Sequence, residues 1–259
     1  MIVDQDRVAV ALSGGKDSTA LLLLLHHLLP VWEDVRLIAI TIDEGIAGYR
    51  EDTIQSAEQL TSRLGIEHHS ISFTALFGES LDTVLTGRET QACSICGILR
   101  KKALVVGAEL AGATKLATGH NLDDEAQSVL MNVFRGDLPR LVRNSRLDTS
   151  GKFIPRIKPL SRISEKEIAM YLMLNNAWRD LPECPYTRYA LRREVRSILS
   201  GFEYKHPGTM RHLMESKEKI ERFCQDSVIS EPLRSCRECG DPCSGDLCQV
   251  CLLRQSLGK

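Results

Sequence analysis

The chain has 259 residues, 43 % of them hydrophobic, and its 33 Lys and Arg against 34 Asp and Glu leave a net charge of -1, so a packed core is affordable in composition and any polyanion must be met by a local basic surface. The amino terminus has no basic region followed by an apolar stretch and cleavage site, and the apolar residues 19–29 are too few to cross a bilayer and include His26 and His27, so a soluble cytoplasmic protein with no membrane partner is expected. Nine cysteines, several in C-x-x-C pairs, suit a reducing compartment and metal rather than a disulfide framework.

Residues 7–12 read as a strand. The stretch Ser13-Gly14-Gly15-Lys16-Asp17-Ser18 follows and feeds a Leu-rich helix expected from near Ser18, with residues 21–25 as core. A Gly-rich turn into a helix start binds anions, because the backbone can approach closely and the first N–H groups of the helix point at the ligand. Lys16 adds a point charge and Asp17 can hold Mg²⁺. The loop is not a Walker A motif: Val10 stands where that pattern needs Gly, and Asp17 where it needs Ser or Thr.

Residues 35–42 form a nearly continuous apolar run, the pattern of a buried parallel strand, and end in Asp43-Glu44-Gly45. Acids there lie on the sheet edge where ligands bind in doubly wound folds. Residues 50–64 have helical spacing, with Gly65 as the stop. Residues 67–73 alternate as a third strand. A helix over 94–112, a strand over 115–118, a helix over 121–134 and a short strand over 154–157 complete the alternation, which predicts an α/β doubly wound parallel sheet. From Ser164 the pattern turns helical: Ser164 to Glu167 has the spacing of a capping box, and 194–224 reads as helix broken near Gly201 and Pro207. The expected organisation is a sheet domain over 1–162, a helical extension over 163–229 and a Cys-rich tail over 230–259.

The cysteines sort into two sites. Cys236 and Cys239 pair with Cys248 and Cys251 as two C-x-x-C knuckles, the four-thiolate set of structural Zn²⁺, and metal would supply most of the folding energy of so short a tail. Cys243 is read as a bystander. Cys93 and Cys96 form a lone C-x-x-C, for which Cys184 is the candidate third thiolate. Three cysteines on a cubane 4Fe-4S cluster leave one iron free, but a redox pair or a second zinc site has the same pattern. Cys224 is read as a buried small apolar residue. Between 135 and 166, nine Lys and Arg face three acids, and Arg188, Arg192, Arg193 and Arg196 continue the theme, which predicts salt-dependent phosphate contacts to an RNA.

The hexapeptide 13–18 resembles the signature of the PP-loop ATP pyrophosphatases, which split ATP between the α and β phosphates. Thr41-Ile42-Asp43-Glu44-Gly45-Ile46, the twelve residues from Cys93 to Leu104, Gly119-His120-Asn121-Leu122-Asp123-Asp124-Glu125-Ala126 and the Cys-rich tail together resemble the TtuA-type tRNA 2-thiouridine synthetases over almost the whole chain. That resemblance implies ATP bound by Leu12, Ser13, Gly14, Gly15, Lys16, Asp17, Ser18, Ile42, Asp43, Gly119 and His120. It implies a 4Fe-4S cluster on Cys93, Cys96 and Cys184, and a C-terminal zinc finger. The catalytic set would be Lys16, Asp17, Arg100 and Asp124; some members carry Lys at the position of Arg100, which here is electrostatic and not an acid or base. His120 reads equally as a helix cap.

The implied reaction is adenylation of a tRNA uridine C2 oxygen and replacement of AMP by sulfur, delivered from an iron-bound sulfide or from a persulfide on Cys93 or Cys184. The tRNA would lie on Arg135, Arg140, Arg143, Arg146, Arg192 and Arg193. The expected partners are a sulfur donor, either a ubiquitin-like thiocarboxylate carrier or free sulfide, and a second copy of the chain. Family members usually carry another Cys-rich finger before the first strand, not found in the six residues ahead of Arg7, and its loss is expected to bear on tRNA grip or partner docking. A 2-thiocytidine or lysidine enzyme, or a non-catalytic nucleotide- or RNA-binding relative, are the alternatives.

Overall fold

A computed structural model describes residues 1–142, 154–189, 191–224 and 234–257. Five strands, β1 (Arg7–Ala11), β2 (Arg36–Asp43), β3 (Glu67–Ser72), β4 (Lys115–Ala117) and β5 (Arg156–Ile157), form one parallel sheet in the order β3-β2-β1-β4-β5. The helices that cross between them are α1 (Lys16–Leu28), α2 (Arg50–Leu64), two short pieces α3 (Phe73–Phe77) and α4 (Leu81–Val84), α5 (Ala92–Leu110), α6 (Leu122–Phe134) and α7 (Leu138–Val142). The chain turns from one side of β1 to the other between β3 and β4. The loops after β1 and β4 therefore open a crevice at the carboxyl edge, where doubly wound sheets bind ligands.

The period-two alternation of the strands divides the core between the two faces. Val8, Val10, Leu37 and Ala39 pack with Leu21 and Leu25 of α1 and Leu60 of α2 on one face. Ala9, Ile40, Ile42 and Leu116 pack with Ile95, Leu99 and Ala103 of α5 on the other. The helix α8 (Glu165–Leu174) inserts Ile168 and Leu172 into the first of these cores, while α9 (Leu191–Lys205) and α10 (Thr209–Phe223) pack Val195, Leu199 and Met210 against Leu122 and Ala126 of α6. The extension is thus packed onto the sheet layer along its length. In the tail, β6 (Arg234–Ser235) and β7 (Pro242–Cys243) make an antiparallel pair, followed by α11 (Gln249–Ser256).

Most sequence-based boundaries agree within two residues. Arg50–Leu64 is a helix ended by Gly65 in the left-handed conformation, and Ser164 and Glu167 make both bonds of a capping box. Three expectations are corrected. Helix α9 runs unbroken through Gly201, and the break falls only at 206–208; the apolar stripe of Val195 and Leu199 offsets the roughly 1 kcal/mol a mid-helix Gly costs. Phe73 starts α3 instead of ending β3, because Ser72 accepts the Ala75 N–H as a helix cap. Cys224 is half-exposed at the end of α10 and not a core residue.

Candidate functional site

The loop after β1 is tied by its own small residues. Ser18 Oγ accepts the Ser13 N–H at 3.1 Å and donates to the Gly15 carbonyl at 2.9 Å, and Ser13 Oγ lies 3.1 Å from Ser18 Oγ. Gly14 has φ +85°, and a Cβ there would lie 2.0 Å from the Thr53 carbonyl oxygen, so only Gly lets α2 close on the loop. Gly15 caps α1 without any side-chain acceptor, which leaves the first N–H groups of this 13-residue helix free for an anionic ligand.

Lys16 reaches Asp17 at 2.7 Å and Glu165 at 3.0 Å. Burial works against the charge on Lys16, but these two carboxylates outweigh it and raise its pKa. Glu165 is pulled below the usual range, burial being offset by Lys16 and Arg196. The loop after β4 comes up against Asp17: the Asn121 amide donates to Asp17 Oδ1 at 3.0 Å, and a Cβ at Gly119 would lie 3.0 Å from the Asp17 carbonyl carbon. Asp17 thus sits where the two loops meet, one oxygen on Lys16 and the other on Asn121.

Asn121, and not His120, caps α6, in a capping box with Asp124. His120 Nδ1 pairs with Thr118 Oγ1 at 2.9 Å, and burial and the Lys158 charge hold its pKa below the usual value. Asp124 takes the Asn121 N–H at 3.3 Å on one oxygen and Arg192 at 3.1 Å on the other. Asp123 accepts the Glu165 N–H at 2.8 Å and joins α6 to α8. Both acids serve the helix start, and Asp124 also holds a cation beside the crevice.

Beyond the end of β2, Asp43 accepts the Gly45 N–H at 2.8 Å and so closes a turn. Glu44 has a side chain only 3 % exposed, between Arg50 at 2.7 Å and Arg100 at 2.7 Å. Arg50 Nε and Glu44 Oε2 meet as an ion pair without an aligned hydrogen bond. Sequence reasoning placed Glu44 on the ligand-binding edge of the sheet but gave it no role, and it passed over Arg50. An arginine in the first turn of a helix opposes the helix dipole, and that mismatch was the available signal.

Leu12, Ser13, Ile42, Glu44, Tyr49 and Arg100 line one cavity. Leu12 and Ile42 contribute its apolar wall. Arg100 Nη2 lies 3.2 Å from Cys96 Sγ. The Arg100 side chain is 46 % exposed, but its guanidinium faces inward, where desolvation opposes its charge; Glu44 and Cys96 beside it raise its pKa, so it stays a fixed cation. Burial pushes the Cys96 thiol up to about 11 against the pull of Arg100. Cys184 is likewise raised by burial, with Arg100 and Cys93 both acting on it. Cys184 packs with Cys96 and Ile95, and two residues on, the Tyr186 hydroxyl donates to Asp82 at 2.8 Å and pins this segment to α4.

The two cysteine sets differ in span. Among the described residues only Cys236, Cys239, Cys248 and Cys251 place every ligand atom within 4.8 Å of the others. That is the spacing of four thiolates on one tetrahedral ion, and the donor set fits Zn²⁺. Backbone N–H groups of Cys239 and Cys248 hold the Cys236 thiol down at about 6, so one thiolate is ready at neutral pH. Cys93, Cys96 and Cys184 converge more loosely, with Cys93 exposed, Cys96 buried and Cys184 between. Thiolates bound to different irons of one cubane stand further apart than thiolates on a single ion, and three thiols beside a fixed cation fit that group.

Arg135, Arg140 and Arg193 are exposed, Arg140 pairing with Asp137 at 3.1 Å. Arg192 points inward to Asp124 and to Ser128 at 3.2 Å, so part of its charge is spent within the protein. Arg143 and Arg146 lie outside the described residues.

Fold and loop together define a nucleotide-binding α/β protein of the PP-loop class, and residues 2–199 match the family model described as PP-loop domain. The chain is 36 % identical to tRNA 2-thiolation protein NcsA of Haloferax volcanii, covering 96 % of this chain and 81 % of that one. It is 36 % identical to cytoplasmic tRNA 2-thiolation protein 1 of Drosophila melanogaster, covering 98 % and 75 %. It superposes on the U34-tRNA thiolase NcsA from Methanococcus maripaludis, solved with its [4Fe-4S] cluster, at a TM-score of 0.85 and 34 % identity over 99 % of this chain and 83 % of that one. The chain belongs to the tRNA 2-thiolation protein family within the PP-loop proteins.

Proposed function

We infer that the chain is an ATP-dependent tRNA uridine 2-sulfurtransferase acting in the cytoplasm. The observation that carries this reading is the shared cavity: Leu12 and Ser13 of the anion-binding loop and Arg100 of the cysteine-bearing helix line the same hollow. A uridine C2 oxygen is a poor leaving group, so it must be activated before sulfur can take its place. The loop residues 13–18 hold ATP with its α-phosphorus toward the base, the C2 oxygen attacks that phosphorus, and pyrophosphate leaves; Asp17 with Mg²⁺ and Lys16 neutralise the charge that builds on the phosphates. Lys16 is released for this from its contacts with Asp17 and Glu165.

Sulfur then adds at C2 and AMP departs. Cys93, Cys96 and Cys184 would hold an iron–sulfur cluster, which, with three protein ligands, would supply a place for that sulfur. Arg100 contributes a fixed positive charge beside it. Asp124 is the polar catalytic group of this reading, freed from Arg192 when RNA phosphates compete for the guanidinium. Gly119 and His120 flank the nucleotide, His120 as a neutral imidazole. Arg135, Arg140 and Arg193, with Arg143 and Arg146, take tRNA phosphates, the sulfur donor is a thiocarboxylate carrier protein or free sulfide, and the working unit is a homodimer.

The test is 2-thiouridine formation in unmodified tRNA with ATP and sulfide, under anaerobic conditions after iron–sulfur reconstitution. Asp17→Ala is expected to abolish it while leaving the melting temperature within a few degrees. Unchanged thiolation in that variant sinks the reading, and nucleotide binding by the wild type without any thiolation moves the chain to a non-catalytic role.

A further inference from the structure

Arg50 is buried in the first turn of α2, and its bonds run in two directions. Towards the nucleotide loop, Nη1 donates to the Ser13 carbonyl at 3.1 Å and to Thr53 Oγ1 at 2.8 Å, and Nη2 donates to the Ile42 carbonyl. Towards the cysteines, its Nε faces Glu44 Oε2 at 2.7 Å, and the other Glu44 oxygen takes Arg100 Nε at 2.7 Å. Arg100 then reaches Cys96 Sγ at 3.2 Å. One buried carboxylate thus stands between the guanidinium that holds the loop and the guanidinium that faces the thiols.

Folding alone does not call for this arrangement. Arg50 by itself suffices to neutralise Glu44, and the side chain of Arg100 is 46 % exposed, so it is free to extend into water. It is held inward instead. In a low-dielectric pocket a charge shared by two partners makes the position of each depend on the other.

We propose that Glu44 is a positioning residue that links nucleotide binding at Ser13 to the group held at Cys96, acting through Arg50 on one side and Arg100 on the other. The proposal deepens the functional reading above and rests on it for the identity of the two ligands. Loss of the Glu44 charge frees both guanidinium groups, so a single substitution is felt at two sites.

The experiment uses Glu44→Gln and Arg100→Gln in the full chain. Binding of α,β-methylene ATP with Mg²⁺ is measured by calorimetry on the zinc-loaded protein before iron–sulfur reconstitution, and the visible circular dichroism and electron paramagnetic resonance spectra are recorded after anaerobic reconstitution. Glu44→Gln is expected to weaken binding of the analogue about tenfold and to change both spectra at unchanged iron content. The hydrogen bonds and ion pairs of Arg100 lead to the nucleotide loop through Glu44 and Arg50, and Arg100→Gln is expected to weaken binding about threefold. Wild-type affinity in Arg100→Gln, or wild-type spectra in Glu44→Gln, overturns the link. Should Glu44→Gln fail to fold, the half-exposed Arg100→Gln still decides the matter through the nucleotide measurement. A wild-type chain that binds the analogue but takes up no iron overturns the functional reading instead, and the nucleotide comparison still tests the link.

Discussion

The tail and the crevice both gather cysteines, and they do so in opposite ways. In the tail four thiols face one another within 4.8 Å, Cys236, Cys248 and Cys251 buried and Cys239 exposed, so an ion there would have all four positions taken by the protein. In the crevice three thiols of graded exposure come from two distant segments, and Arg100 stands between Cys96 and the cavity. Closed coordination supports folding, whereas three protein ligands on a group that needs four leave a position for chemistry. The two sites are also joined. Val250 and Leu253 of α11 pack into the core that holds Ile95, Cys96 and Leu99, and Lys102 of α5 pairs with Asp241 at 2.7 Å. The closed site braces the helix that carries the open one.

The largest expected effect separates them by metal. Cys184→Ala should lose iron and acid-labile sulfide on anaerobic reconstitution and abolish thiolation, while zinc per chain stays at the wild-type level. Zinc alone in the wild type, unaffected by the variant, removes the cluster and shifts weight to persulfide chemistry. Next is Cys251→Ser, which removes a buried thiol from the closed set. Zinc should be lost and α11 should come away from α5. The melting temperature then falls by several degrees, at roughly 2–4 °C for each kcal/mol of lost packing in a chain of this size. Iron uptake should be reduced but not abolished, since all three crevice cysteines remain. Full iron and thiolation with no zinc would show that the two sites are independent.

The tail was legible from spacing because both knuckles are local: each pair sits within one turn, and only one chain reversal joins them. The crevice was legible in part. The loop 13–18 and the parallel sheet that carries it follow from local pattern, whereas the order β3-β2-β1-β4-β5, with its switch beside β1, was not read from the sequence, because crossover rules narrow the possible orders without choosing one. From the residues Cys184 was only a candidate, and the resemblance to the thiolation family supplied it as a ligand, because its partners lie about ninety residues away and nothing in Glu183-Cys184-Pro185 fixes its direction. The pairing of Glu44 with Arg50 and Arg100 stayed hidden for a related reason. A buried ion pair looks like surface charge until tertiary packing removes the water, and the local signals, an acid after a strand and a base at a helix start, point elsewhere.

The smallest expected effect tests whether the closed site has a spare. Cys243 lies on β7 within the same knuckle region but outside the group of four, and its Sγ sits 3.1 Å from the Gly245 carbonyl oxygen, to which it donates. A hydroxyl is a better donor than a thiol and fills less space, so Cys243→Ser keeps that bond and leaves the four ligands untouched. Zinc stoichiometry and thiolation should equal the wild type, with stability changed by no more than about 0.5 kcal/mol, as for substitutions away from special features. If zinc affinity measured by competition with a chelator drops tenfold or more, Cys243 enters the coordination sphere. The enclosure that distinguishes the tail from the crevice would then be a choice among five thiols and not a fixed set of four.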